Sequence, residues 1–137
     1  MTRVRAGRPA DLDPLAPAQA ALSDPAPELL AGALTRDGPA TVLVAVDDRP
    51  VGYLLAVPGP EGVYVPEIAV RPDRQGKGHG SALLSALFAR ADGAVRLTVA
   101  VENERARRFY ERHGFAVAER VPDRFASGDG LVLVRPA

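Results

Sequence analysis

From Val95 to Val101 the chain alternates: Val95, Leu97, Val99 and Val101 fall on one parity, and Arg96, Thr98 and Ala100 on the other. A period of two predicts a strand with one buried face. Asn103 then ends the strand as a good N-cap, and Glu104 suits the positive end of a helix dipole. Ala106, Phe109, Tyr110 and His113 recur at helical spacing until Gly114 closes the segment. The pattern extends across the rest of the chain. Residues 3 to 8 predict a first strand, and Asp11 or Asp13 starts an alanine-rich helix that Pro14 and Pro17 restrict to an early turn. Ser23-Asp-Pro-Ala-Pro27 opens a second short helix through Leu34. Thr41–Val46 and Val51–Val57 bracket the turn Asp47-Asp-Arg-Pro50 as a hairpin. After the turn Gly59–Gly62 come a strand over 63 to 70, a glycine-rich loop, a helix to about Arg90 stopped by Gly93, and terminal strands near 115 to 121 and 130 to 135. Strand, two helices, three strands, helix, strand, helix and two strands make a mixed α/β sheet.

Pro66 is the odd residue in that plan. Proline cannot donate to a ladder, so inside a strand it marks an edge, a bulge or a place where pairing opens.

The loop reads Gln75-Gly-Lys-Gly-His-Gly80, followed by Ser81 and an apolar helical run to Phe88. Gly76, Gly78 and Gly80 strip side chains from the turn, so its N–H groups can approach a ligand while the helix contributes its positive end. A phosphate or diphosphate is the expected guest. The segment is not a P-loop, because Arg71 stands where the first glycine belongs and Gly78 follows Lys77. A dinucleotide fingerprint from Gly76 places its third small residue at Ser81 and wants an acid about 20 residues on, where Arg96 and Leu97 stand.

Composition narrows the chemistry further. The chain has 137 residues, a length that predicts one domain over 1–137 burying about two thirds of its unfolded surface. Zero cysteines exclude disulfides, thiol nucleophiles and thiolate metal sites, and two distant histidines argue against zinc. Seventeen basic residues balance seventeen acidic ones, so no overall field points to nucleic acid or an anionic membrane. Arg105, Arg107, Arg108 and Arg112 read as a solvated helix face interleaved with Glu104 and Glu111, with Arg107 or Arg108 as candidates for a phosphate contact. No apolar run approaches the roughly 18 residues of a membrane span, and the expected location is cytoplasmic.

The loop resembles the acyl-CoA-binding motif of the GNAT superfamily of N-acetyltransferases, Gln/Arg-x-x-Gly-x-Gly/Ala, filled here by Gln75, Gly78 and Gly80. The likeness extends upstream to Glu67, Ile68, Val70 and Pro72, and downstream to a second motif over residues 98 to 115. It implies a mostly antiparallel central sheet of about seven strands flanked by about four helices. It also implies a strand before the loop that splays from its neighbour, with the acyl-pantetheine arm lying in the V. Pro66 fits that opening, although an ordinary edge strand would also hold it.

By the same resemblance acetyl-CoA is the cosubstrate. The backbone of Ile68, Ala69 and Val70 meets its thioester end, Gln75, Gly76, Lys77, Gly78, His79, Gly80 and Ser81 meet its diphosphate, and Asn103 hydrogen-bonds the pantetheine arm. An amine of pKa about 10.4 is protonated at neutral pH, so a base or water chain must take its proton before attack. Glu67 is the nearest candidate; its alternative roles are pairing with an arginine at the strand end or binding substrate. Free N–H groups around Ile68 to Val70 suit the charge that develops on the carbonyl oxygen. The thiolate that leaves has a conjugate acid of pKa about 8.5, so a phenol of pKa about 10 is acid enough to assist. Tyr110 takes that role by resemblance, the alternative being a core aromatic with its hydroxyl capped by a carbonyl. Tyr53 and Tyr64 belong to packing or to the acceptor pocket. His79 is expected to reach solvent or phosphate, and His113 suits a helix C-terminus. The expected reaction is acetyl transfer to a primary amine on a small molecule or peptide, by a monomer or homodimer, with no metal, nucleic acid or membrane partner. The alternative is a catalytically silent acyl-CoA-binding regulatory module. Residues 11 to 36 and a loop from Val121 to Gly130 are where acceptor specificity is expected.

Overall fold

The computed structural model describes residues 2–22, 25–35 and 38–137. Strand β1 (Arg3–Ala6) leads through a 3-10 turn (Pro9–Asp11) into α1 (Leu12–Ala20) and α2 (Pro27–Leu34). Then come β2 (Thr41–Asp47), β3 (Arg49–Gly59), β4 (Gly62–Tyr64), β5 (Ile68–Val70), α3 (His79–Arg90), β6 (Ala94–Ala100), α4 (Glu104–Arg112), β7 (Ala116–Phe125) and β8 (Gly128–Arg135). The eight strands form one sheet in the order β1-β2-β3-β4-β6-β8-β7, with β5 paired to β3. Every pairing is antiparallel except β4 with β6.

The expected architecture is present, with one strand more because the predicted strand over 63 to 70 breaks at Pro66. On β3, Leu55 and Ala56 separate the partners of Tyr64 and Ile68, while Val65, Pro66 and Glu67 separate those two residues on the opposing segment. Three residues face two, which is a bulge centred on a proline that has no N–H to give. Up to this point β4 lies against β6, and Val65 N–H still donates to Arg96 O at 2.8 Å. Beyond it β5 follows β3 alone, and β6 follows β8 alone. The sheet opens between β5 and β6.

Two cores flank the sheet. On one face Leu83, Leu84 and Leu87 of α3 pack with Val95, Leu97 and Val99, joined by Ala106, Phe109 and Tyr110 of α4. On the other, Leu15 and Ala18 of α1 and Leu30, Ala33 and Leu34 of α2 cover Val42, Val44, Tyr53 and Leu55. Strands β2 and β3 are covered on both faces, which is why they read as continuous apolar runs where β6 alternates. Full burial of each such aliphatic side chain is worth about 1.5–3 kcal/mol, and this packing overrides local propensity.

Pro17 illustrates the override. It lies inside α1, which continues to Ala20 instead of ending in an early turn. Pro14 sits in the first turn, where a missing N–H is harmless. Pro17 faces solvent while Leu15 and Ala18 are fully buried, so packing holds the helix through the lost bond. The second correction concerns residues 121 to 130. Most of them extend the β7–β8 hairpin, whose turn is confined to Ala126 and Ser127. The predicted first strand ends at Ala6 instead of residue 8, and the predicted opening of α2 at Ser23 and Asp24 lies outside the described residues.

Candidate active site

A cleft of about 1080 Å³ runs from the opening between β5 and β6 to the N-terminus of α3, with α4 as its far wall. Its first wall is backbone. Leu55 N–H donates to Glu67 O and Arg71 N–H donates to Val51 O, both at 2.8 Å. With Tyr53 opposite Ala69, antiparallel alternation turns the polar groups of residues 67, 69 and 71 toward β3 and those of Ile68 and Val70 into the opening. The N–H groups of Ile68 and Val70 therefore face the cleft, whereas that of Ala69 faces β3. Val70 O accepts from Gln75 Nε2 at 3.0 Å, which folds the start of the loop back against the strand end.

The loop itself depends on two of its glycines for conformation and on the third for packing. Gly76 and Gly78 have φ of 77° and 88°, the left-handed region, and a side chain at either would meet nothing within 4 Å. At Gly80 a Cβ would lie 3.0 Å from Phe109 Cζ, so this glycine is there to let α3 approach α4. Gly78 is the N-cap of α3, and no side chain caps that end. The first helical bond runs from Ala82 N–H to Gly78 O, which leaves the amides of His79, Gly80 and Ser81 without intrahelical partners at the positive end of the helix. Open backbone, unpaired amides and a helix terminus are the parts of an anion site, and they fit a diphosphate.

Of the residues expected to hold a cofactor, Ile68, Ala69, Val70, Gln75, Gly76, Gly78, His79, Gly80, Ser81, Asn103 and Tyr110 all line this cleft. Lys77 is exposed, outside the lining. His79 departs from expectation: its ring is only 2 % exposed, with Nδ1 2.7 Å from Thr2 Oγ1, so it contributes backbone and not a solvent-facing imidazole. Ser81 Oγ lies 3.0 Å from His113 Nε2, while His113 Nδ1 lies 2.8 Å from Phe109 O. A carbonyl can only accept, so Nδ1 carries the proton; in the neutral ring Nε2 then accepts from the Ser81 hydroxyl, tying the two helices together.

Asn103 caps α4 as the sequence predicts, its Oδ1 accepting from Ala106 N–H at 3.2 Å. Its side-chain NH₂ remains to be used at the cleft. Tyr110 packs edge-on against Phe109 and Phe115, with centroids 5.3 and 5.7 Å away. No carbonyl caps its hydroxyl among the described residues, contrary to the packing alternative. Burial of the ring pushes the Tyr110 pKa well above the ordinary phenol value, so the hydroxyl stays protonated at any physiological pH.

Glu67 occupies the bulge and points to the opposite face. It is 5 % exposed, accepts from Tyr53 OH at 2.8 Å and from Ala26 N–H at 2.6 Å, and pairs with no arginine among the described residues. Tyr53, fully buried, has its own pKa raised by burial and then by the bond to Glu67. Tyr64 OH lies 2.9 Å from Thr98 Oγ1 on the neighbouring strand. Arg105, Arg108 and Arg112 face the cleft, joined by Arg74, which the sequence did not single out although it adjoins Gln75. Arg107 turns away and donates to Val101 O at 3.2 Å. The Arg108–Glu104 pair, at 3.7 Å and more than 70 % exposed on both sides, adds little stability and leaves the guanidinium available.

Known proteins resemble the chain in sequence and in fold. The chain is 44% identical over 61 residues to mycothiol acetyltransferase of Clavibacter michiganensis subsp. michiganensis, a stretch that is 44% of the chain and 20% of that protein. It is 33% identical over 94 residues to an uncharacterised N-acetyltransferase of Methanocaldococcus jannaschii, covering 65% of the chain and 60% of the relative. The chain thus spans a fifth and three fifths of the lengths of these curated relatives. In fold it is similar to Arabidopsis thaliana NAA60 solved with acetyl-CoA, with a TM-score of 0.84 at 18% identity over 98% of this chain and 97% of that one. The family model for the acetyltransferase (GNAT) family matches residues 11–115, and the chain belongs to that family.

Proposed function

We propose that this protein is an N-acetyltransferase that moves the acetyl group of acetyl-CoA directly to a primary amine, with residues 1–137 acting as one catalytic domain. The observation that carries the reading is the continuity of the cleft. Amides at the start of α3 suit a diphosphate, and the opening between β5 and β6 accepts an extended arm. The same cleft is lined by Ile68 and Val70, whose N–H groups face it, and by Tyr110. Acetyl-CoA, the ligand of the Arabidopsis fold relative, agrees with this assignment.

In this reading Gln75, Gly76, Gly78, Gly80, Ser81 and the His79 backbone hold the diphosphate, Lys77 adds only its positive charge from outside the lining, and Asn103 donates to the pantetheine arm. The N–H groups of Ile68 and Val70 stabilise the negative charge that builds on the thioester oxygen as the amine attacks. Tyr110 donates its proton to the leaving thiolate, a hydroxyl kept available because burial disfavours its ionised form. Glu67 draws the amine's proton through water, while Tyr53 and Ala26 fix the carboxylate in place. Its burial and its two bonded oxygens favour a second role for Glu67, as a strut joining the start of α2 to the bulge. The acceptor is a small molecule or a peptide amine, and the enzyme of this reading is cytoplasmic, metal-independent and a monomer or homodimer.

The test is thiol release from acetyl-CoA across a panel of polyamines, amino acids, aminoglycosides and peptides with free N-termini. Amine-dependent release supports the enzyme; tight coenzyme A binding without release on any acceptor favours the silent regulatory module.

A further inference from the structure

Both ends of the glycine loop are held by one residue outside it. Arg74, at the loop's entrance, donates through NH1 to Asp47 O at 3.3 Å and lies 3.6 Å from Asp47 Oδ2. His79, at its exit, brings Nε2 to 3.6 Å from the same Oδ2, and its Nδ1 is engaged with Thr2 Oγ1. Asp47 is the last residue of β2, and the hairpin turns directly after it at Asp48, whose φ of 73° is positive. The turn adds a second, looser contact, Arg49 to Asp73 at 3.9 Å. His79 Nε2 is buried yet lacks a partner within hydrogen-bonding distance, an arrangement that favours a small closing movement toward the carboxylate.

We propose that Asp47 is a positioning residue for the cofactor loop, fixing the distance between Arg74 and His79 so that the intervening amides converge before ligand arrives. The inference rests on the reading of the cleft as an acetyl-CoA site. Its physical basis is preorganisation. A loop of exposed glycines has more conformations to lose on binding than any other sequence, and an anchor common to both ends removes part of that loss in advance. Asp47 is not among the residues that line the cleft, so its contribution belongs to cofactor affinity and not to the chemical step.

Asp47→Asn tests this cleanly, because it keeps the backbone carbonyl that Arg74 uses and removes only the carboxylate charge. The expected result is an acetyl-CoA KM raised about tenfold, the loss typical of a charge-assisted contact, with kcat at saturating cofactor within about twofold of native. Independently of any ligand, the hydrogen-bonded amides that flank the loop, Arg74 to Arg71 O and Ala82 to Gly78 O, should exchange with solvent about tenfold faster in the variant. Unchanged exchange at those amides overturns the proposal, as does a fall in kcat that matches the rise in KM. If the native protein binds no coenzyme A, the cleft has been misread, and the exchange comparison still decides whether Asp47 orders the loop.

Discussion

Replacing Gly78 by alanine isolates the backbone's share in cofactor binding. A Cβ at this position meets no atom within 4 Å, so sterics contribute nothing and the cost comes from holding φ near 88°. For a non-glycine residue the left-handed region costs about 1–2 kcal/mol. In the free protein the exposed loop relaxes out of that region and stability falls by less than the full amount. The remainder is charged to binding, because the amides must return to their convergent arrangement around the diphosphate. That remainder is at most about 1–2 kcal/mol, so affinity weakens by up to about 5- to 30-fold. Asparagine enters the left-handed region several-fold more readily than most residues, so Gly78→Asn should fall between glycine and alanine. Calorimetric titration of coenzyme A into the three proteins measures the order. Equal affinity in Gly78→Ala, or asparagine weaker than alanine, would refute the claim that this backbone conformation builds the site.

Gly80 behaves differently because its constraint is Phe109. Gly80→Val should destabilise the fold by about 1–3 kcal/mol through overpacking, and Phe109→Ala should recover most of that loss in a double-mutant melt; additive losses would contradict the contact. Tyr110→Phe should lower kcat by about 10²-fold or more while leaving the acetyl-CoA KM near native, and equal rates in steady-state assays would remove the acid role. The same variant has a stability signature. The folded-state pKa of Tyr110 is raised, so its contribution is fully present below the unfolded phenol value near 10 and is lost as pH climbs above it. Denaturant midpoints between neutral pH and pH about 11 should fall less steeply in Tyr110→Phe than in native protein. Glu67→Gln leaves a donor facing either Tyr53 or Ala26 and should cost about 1–3 kcal/mol of stability. A kcat loss of about 10²–10⁴ at saturating substrates identifies a base, and a loss under about tenfold identifies a strut.

Much of this was legible in the chain because the informative features are local. Alternation set β6, Asn103 set the start of α4, and Gly76 and Gly78 announced a loop needing positive φ. Pro66 marked the bulge because a missing N–H is a property of one residue. What stayed hidden depends on contacts between distant segments. Gly80 read as a diphosphate-facing glycine, yet its neighbour is Phe109 on another helix. His79 read as a polar loop residue, and only the approach of Thr2 and Asp47 explains its burial. Glu67 read as a base, an arginine's partner or a substrate ligand, because its actual partners Tyr53 and Ala26 lie far away in sequence. Pro17 read as restricting the first helix to an early turn, and the buried face then carried the helix to Ala20.

The central claim is that amides at the start of α3 and along the opened edge of β5 together receive coenzyme A. Amide-resolved magnetic resonance during a coenzyme A titration tests it most directly. The account predicts that Gly76, Gly78, His79, Gly80, Ser81, Ile68 and Val70 shift together and saturate at one concentration, while Ala69, whose N–H faces β3, moves less. Saturable shifts confined to some other surface, or no shifts at all at millimolar coenzyme A, would contradict it.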